Sequence, residues 1–322
     1  MGFKVAVVGA TGNVGREMLD ILAERAFPAD EVVAIASRRS QGTEVSFGDR
    51  TLKVKALDLY DFSDVDICLM SAGGEASKEW SPRIAAQGAV VIDNSSAWRY
   101  DQDVPLVVPE VNADAVRGFK KKGIIANPNC STIQMVVSLA PIAREFGISK
   151  VVVSTYQAVS GSGRGGVEAL ENGREDVYPK AIAGNAIPLI GGVGEDGYTT
   201  EETKMREESR KILSLPDLPV FATAVRIPVH TGHSESVYVE TDRDADLLEV
   251  LETLRSAPGV SFSGDAADFP TPLEAAGEPG TFVGRVRVEG NAISYWCVAD
   301  NLLKGAATNA VQIAESLVGV RV

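Results

Sequence analysis

The chain has 322 residues, 45% hydrophobic and 23% charged, enough for one large or two modest globular domains with ample core. With 31 Lys+Arg against 44 Asp+Glu the formal net charge is −13. That argues against a general nucleic-acid binder and requires a local Arg or Lys cluster wherever an anion is to be held.

Three cysteines, Cys68, Cys130 and Cys297, fit neither a disulfide framework nor a zinc spacing, so no metal is expected and a reducing compartment suits them. No apolar run reaches membrane-spanning length and no signal peptide is visible, so the expected setting is cytoplasmic, with no membrane partner.

Phe3 to Val8 is a short apolar run of β-formers. Gly9-Ala10-Thr11-Gly12-Asn13-Val14-Gly15 follows, then an amphipathic helix to about Glu24 with Val14, Met18, Ile21 and Leu22 on one side. Glycines in a strand-to-helix turn let backbone N–H groups approach a pyrophosphate at the helix N-terminus. The spacing is Gly-x-x-Gly-x-x-Gly, not the commoner Gly-x-Gly-x-x-Gly, and a tight turn with close helix packing is the plain alternative.

Glu31 to Ala36 is a second strand. An acid at its end would hold the ribose of NAD. Here Ala36-Ser37-Arg38-Arg39-Ser40 offers two arginines and two serines, which suits a 2′-phosphate and favours NADP(H), with Arg39 and Ser40 as candidates; the alternative is a solvated basic turn. Val65–Met70 and Val90–Ile92 are further strands, with a helix near Glu75–Ala86 between them. Strands alternating with helices imply a Rossmann-type, doubly wound parallel sheet covered on both faces.

Ala126-Asn127-Pro128 leads into Asn129-Cys130-Ser131 and a helical run from Thr132 to Phe146. A thiol in the first turn of a helix feels the positive end of the dipole and unpaired N–H groups, which favour thiolate. Such a thiolate is a nucleophile for a carbonyl. Cys68 and Cys297 lie inside apolar strand-like runs and read as small buried hydrophobes.

The second half reads differently. Lys150–Gln157, Val220–Ile227, Ser236–Thr241, Phe282–Val288 and Ile293–Val298 are strand-like, the last two joined by the turn Glu289-Gly290-Asn291. This is a mixed or antiparallel sheet. Helices are expected at Gly165–Asn172, Thr199–Leu213, Asp246–Ser256 and Leu302–Leu317. The division is then residues 1–128 plus 301–322 as the NADP-binding domain, and 129–300 as a catalytic and dimerisation domain. Cys130 falls at the junction, a usual place for ligands.

The chain has two histidines, His230 and His233, in Arg226-Ile-Pro-Val-His230-Thr-Gly-His233-Ser. An imidazole acid or base must be one of them, and spacing alone does not choose. Gln157 and Ser160-Gly161-Ser162-Gly163 close a strand, a usual place for ligand contacts. Lys204 lies one helical turn after Glu201, so both project from one face; a weak surface pair is the plain reading. Arg99 follows the irregular stretch Asp93 to Trp98.

Together these segments, with Glu201-Glu-Thr-Lys204 and Asp300-Asn-Leu-Leu-Lys-Gly-Ala-Ala, resemble the bacterial aspartate-β-semialdehyde dehydrogenases over essentially the whole chain. The resemblance implies NADPH-dependent reductive dephosphorylation of aspartyl-β-phosphate, an early step toward lysine, threonine, methionine and isoleucine. It implies Cys130 as nucleophile, His233 as acid/base and Gln157 as the group orienting the acyl intermediate. Arg226 is implied to hold the substrate α-carboxylate, Glu201 to lie near its α-amine, and Arg99 and Lys204 to bind phosphate, with Asn129 beside them. Gly9, Thr11, Gly12, Asn13, Val14, Ser160, Gly161 and Asn301 join Arg39 and Ser40 as cofactor residues. Many members carry Gln where Asn301 stands. Dimers, sometimes tetramers, formed through the second domain are implied.

Two other readings compete. An N-acetyl-γ-glutamyl-phosphate reductase would run the same chemistry without needing Glu201 for a free amine. A non-catalytic NADP-binding redox sensor would have no reason to keep Gln157, His233 and the Arg/Lys set together.

Overall fold

The computed structural model describes residues 2–321. The chain divides into two compact units, one running to Pro128 and resuming at Ala306, the other Asn129–Gly305.

In the first unit, β1 (Phe3–Val8), β2 (Ala29–Ala36), β5 (Lys55–Ala56), β6 (Ile67–Met70), β7 (Val90–Asp93) and β8 (Ile124–Ala126) form a sheet in the order β5-β2-β1-β6-β7-β8. All five pairings are parallel. Val5 to Val8 and Ile67 to Met70 are fully buried, as strands covered on both faces must be. The order reverses beside β1, so the loop leaving β1 for α1 (Asn13–Glu24) sits at the topological switch point where such sheets take ligands. Helices α2 (Gly74–Ala85) and α3 (Pro109–Asn112) belong to this unit, with the C-terminal helix Thr308–Arg321.

Sequence reading overlooked the antiparallel hairpin of β3 (Glu44–Phe47) and β4 (Arg50–Lys53), although Gly48-Asp49 is a two-residue turn signal. It also overlooked β5 and β8, which are too short to show a period. The last helix departs from expectation. Leu303–Ala307 is a π-helical stretch, and the regular α-helix begins only at Thr308. There Gly305 lies so close to Cys130 that a Cβ on it would stand 2.8 Å from that of Cys130.

The second unit holds β9 (Lys150–Gln157), β10 (Val220–Arg226), β11 (His233–Glu240), β12 (Val260–Phe262), β13 (Thr281–Glu289) and β14 (Ala292–Ala299) in the order β10-β9-β11-β14-β13-β12. The two outer pairs are parallel and the inner ones antiparallel, a mixed sheet. One face packs on α4 (Cys130–Phe146), with α5 (Gly163–Asn172), α6 (Thr200–Leu213), α7 (Leu247–Arg255) and α8 (Pro272–Ala275) completing the unit. The core joins Met135, Leu139 and Ile142 of α4 to Val151, Val153, Val237, Val239 and Ile293. The opposite face leaves Val152 and Phe221 exposed.

Strand β11 begins at His233, three residues before the expected Ser236. The apolar alternation that marks a strand is absent there, because Ser234 and Glu235 are polar yet buried.

Candidate active site

Cys130 is the first residue of α4, and Asn129 is its N-cap. Asn129 Oδ1 accepts from the backbone N–H groups of Ser131 and Thr132 at 3.0 and 3.2 Å. Such a cap fixes where the first turn begins, and so where Cys130 projects. Asn129 is held twice more from α6. Its backbone N–H donates to Glu208 at 2.6 Å, and its Nδ2 donates to Glu201 at 2.9 Å.

Glu201, Lys204 and Glu208 share one face of α6, at i, i+3 and i+7. Lys204 Nζ lies 3.0 Å from Glu201 Oε2, and Gln157 Nε2 donates to Glu201 Oε1 at 3.2 Å. Burial alone would raise the Glu201 carboxyl. The Lys204 charge, with hydrogen bonds from Asn129, Lys204 and Gln157, outweighs it and holds the group below the ordinary carboxylate range. This is a buried carboxylate in a network, not the weak surface pair of the plain reading. Glu208 was not foreseen, although its spacing from Glu201 repeats the helical period.

His233 is fully buried at the start of β11. The backbone N–H of Ala158 donates to its Nδ1 at 3.0 Å. A neutral ring that accepts at Nδ1 carries its proton on Nε2, and Nε2 has no partner among the described residues. Burial, then the nearby Arg226 guanidinium, pushes the histidine down from 6.5 to about 3, so at neutral pH it is uncharged. His230 is exposed, with Glu171 3.8 Å away. The structure thus separates two histidines that spacing could not.

Arg226 ends β10, buried, with Nη1 donating to Ala158 O at 2.6 Å and Nε unpartnered among the described residues. Gly161 fits between the Arg226 and His233 side chains. A Cβ there would stand 2.9 Å from Arg226 Nη1 and 3.2 Å from His233 Nε2. Asn301 Nδ2 donates to Ser160 Oγ at 3.0 Å, and its Oδ1 accepts from Gly232 N at 3.0 Å. Asn301 therefore ties the Ser160 turn to the residue before His233.

Cys130, Asn129, Gln157, Glu201, Lys204, Arg226, His233, Ser160, Gly161 and Asn301 all belong to the second unit. The remaining candidates belong to the first. Arg99 is buried there and donates to Asn127 O at 2.9 Å and Asn94 O at 3.0 Å.

In the glycine loop, Gly9 has φ +87°, and a Cβ on it would meet Ser71 O at 2.3 Å. Thr11 and Gly12 follow, and α1 opens at Asn13 and Val14 with no side-chain cap and no acid in its first turn. Its first N–H groups are thus left to an anion, which fits a dinucleotide pyrophosphate. Arg38, Arg39 and Ser40 form one 3-10 turn after β2. Arg38 is paired with Asp58 at 2.5 Å, while Arg39 is exposed with no side-chain partner among the described residues. Among those residues no cluster could hold a metal ion, and no helix is long and apolar enough to cross a membrane.

Residues 4–119 match the semialdehyde dehydrogenase NAD-binding domain, and residues 139–304 the semialdehyde dehydrogenase dimerisation domain. The chain is 54% identical to the aspartate-semialdehyde dehydrogenase of Aquifex aeolicus, across 99% of this chain and 98% of that one. It is similar to the crystal structure of aspartate semialdehyde dehydrogenase II complexed with ASA from Vibrio cholerae, with a TM-score of 0.97 and 47% identity over 99% of each chain. It is also similar to the aspartate semialdehyde dehydrogenase with NADP from Candida albicans, with a TM-score of 0.78 and 26% identity over 98% of each chain.

Proposed function

Because the chain belongs to the aspartate-semialdehyde dehydrogenase family, we propose that it reduces aspartyl-β-phosphate to aspartate-β-semialdehyde and inorganic phosphate through a thioester on Cys130. The observation that carries this reading is a capped helix-start cysteine in the same unit as a buried, neutral histidine whose Nε2–H is unpaired.

The Cys130 thiolate attacks the acyl carbonyl, a C–S bond forms, and the C–O bond to phosphate breaks, the phosphate leaving with the electron pair and taking a proton from water. NADPH supplies the hydride that reduces the thioester carbon. The oxygen of each tetrahedral stage gains negative charge, and the Nε2–H of His233 is the donor suited to meet it. Collapse of the second stage restores the carbonyl as aldehyde and releases the Cys130 thiolate. With Nδ1 held by the Ala158 N–H, the neutral His233 enters as a hydrogen-bond donor through Nε2–H.

Arg226 binds the substrate α-carboxylate through its planar fork, and Glu201, kept ionised, receives the α-amine. Gln157, bonded to Glu201, orients the acyl group. Lys204 and Arg99 supply the local positive charge that phosphate needs on a chain of net charge −13. Asn129 fixes the helix start under the substrate.

Gly9, Thr11, Gly12, Asn13 and Val14 hold the NADP(H) pyrophosphate, and Arg39 with Ser40 holds the 2′-phosphate. Ser160, Gly161 and Asn301 border the nicotinamide. Val152 and Phe221, exposed on the second sheet, and the match to a dimerisation domain support a homodimer, or a tetramer made of two such dimers, and three unpatterned cysteines suit a cytoplasmic setting. The activity serves synthesis of lysine, threonine, methionine and isoleucine.

The test is phosphate-dependent formation of NADPH from aspartate semialdehyde by the purified protein. Turnover that requires phosphate supports the reading, and a folded, NADP-binding protein without turnover rejects it.

A further inference from the structure

Beneath the proposed site lies a polar pair that the chemistry above does not use. Gln134 is one helical turn after Cys130 on α4, so the two share a face. Glu235 is two residues after His233 on β11, so those two share a face of the strand. Gln134 and Glu235 are both fully buried. Gln134 Nε2 donates to the backbone oxygen of His233 at 3.2 Å.

Three oxygens in this spot lack a partner: Gln134 Oε1 and both carboxyl oxygens of Glu235. Leaving a buried polar atom unpaired forfeits its hydration with nothing in return, so three in one place call for a reason. An un-ionised Glu235 supplies one. Its O–H would be a donor for Gln134 Oε1, which would turn two of the orphans into one hydrogen bond.

From this geometry we propose that Gln134 and Glu235 are positioning residues, a buried strut joining the helix that aims Cys130 to the strand that aims His233. The strut runs from the Glu235 O–H to Gln134 Oε1, and from Gln134 Nε2 to the His233 carbonyl. It fixes the height of α4 over β11, and so sets nucleophile and hydrogen-bond donor against one acyl group. Displacement by about 1 Å at such a site costs on the order of 10²-fold in rate.

The surroundings favour the acid form. Burial raises the Glu235 carboxyl well above its ordinary range, against a weaker opposing pull from Gln134. The groups around it are neutral. Cys297 and Tyr295 on β14 are likewise pushed up by burial, Ser138 on α4 bonds the Tyr295 hydroxyl at 3.0 Å, and Thr155 stands opposite on β9.

The proposal rests on the reading that Cys130 and His233 act on one acyl group, and its test separates the two. Wild-type turnover tests that reading. The strut is tested with Glu235→Gln, which keeps a donor, and Glu235→Leu, which keeps the bulk and loses it. Expected is a kcat for Glu235→Gln near that of wild type. Glu235→Leu and Gln134→Leu should each lose about tenfold or more in kcat with KM nearly unmoved. The double leucine variant should be no worse than the poorer single one. The infrared spectrum at neutral pH should contain a protonated carboxylic C=O stretch that Glu235→Gln removes. Should Glu235→Leu fail to fold, the glutamine variant and the infrared band still decide. A folded Glu235→Leu with wild-type kcat, a crippled Glu235→Gln, or no carboxylic band would each overturn the strut.

Discussion

The backbone N–H of Ala158 donates to Nδ1 of His233 at 3.0 Å, and that bond decides which ring nitrogen carries the proton. Ala158 follows Gln157 at the end of β9, and its carbonyl accepts from Arg226. One peptide thus sets the tautomer of the histidine and the aim of the arginine.

A neutral His233 has a consequence for stability. Its folded value, about 3, lies below the ordinary 6.5. Below about pH 6.5 the unfolded chain takes up a proton that the folded chain refuses. Stability therefore falls as pH drops from there toward 3, by up to about 1.4 kcal/mol per pH unit from this group. Urea midpoints for wild type and His233→Gln at neutral pH and at pH 5 measure it. The wild type should lose more on acidification, and equal losses would mean that the ring is not buried uncharged.

Gly161→Ala should leave the fold intact and lower kcat. The added methyl would stand 3.2 Å from His233 Nε2, where the reacting oxygen is to be received. A loss of about 10²-fold is expected, with an unchanged circular dichroism spectrum. Wild-type kcat would show that nothing needs that space.

Arg226→Lys should raise KM strongly. A lysine ammonium is a point charge and cannot replace the planar fork that grips a carboxylate. Steady-state kinetics with aspartate semialdehyde measure this, and near-normal KM would contradict the carboxylate role.

Arg39→Ala should weaken NADP and leave NAD little changed. Arg38 is already held by Asp58, which leaves Arg39 as the cation open to the 2′-phosphate. Fluorescence titration with both dinucleotides separates the cases, and equal weakening would remove Arg39 from that contact.

Much of this architecture was legible in the chain, for physical reasons. Strands buried on both faces write themselves as apolar runs, so β1, β2, β6 and β7 could be read, as could the glycine loop between β1 and α1. Cys130 stood out because it lies between Ala126-Asn127-Pro128 and the helical run from Thr132 to Phe146. The polar half of the site was hidden. Glu235 and Gln134 sit buried inside elements where an apolar residue would be expected, and nothing in the local pattern marks them. The start of β11 was lost for the same reason. The π-helical stretch at Leu303–Ala307, where Gly305 meets Cys130, is not encoded in local periodicity.

The central claim is a covalent acyl group on one sulfur. Aspartate semialdehyde labelled with ¹⁴C, incubated with enzyme and NADP in the absence of phosphate and then quenched in acid, tests it most directly. The account predicts label on the peptide that contains Cys130, discharged by added phosphate and absent from Cys130→Ser. Label on another residue, or none on a preparation that turns over once phosphate is supplied, would contradict it.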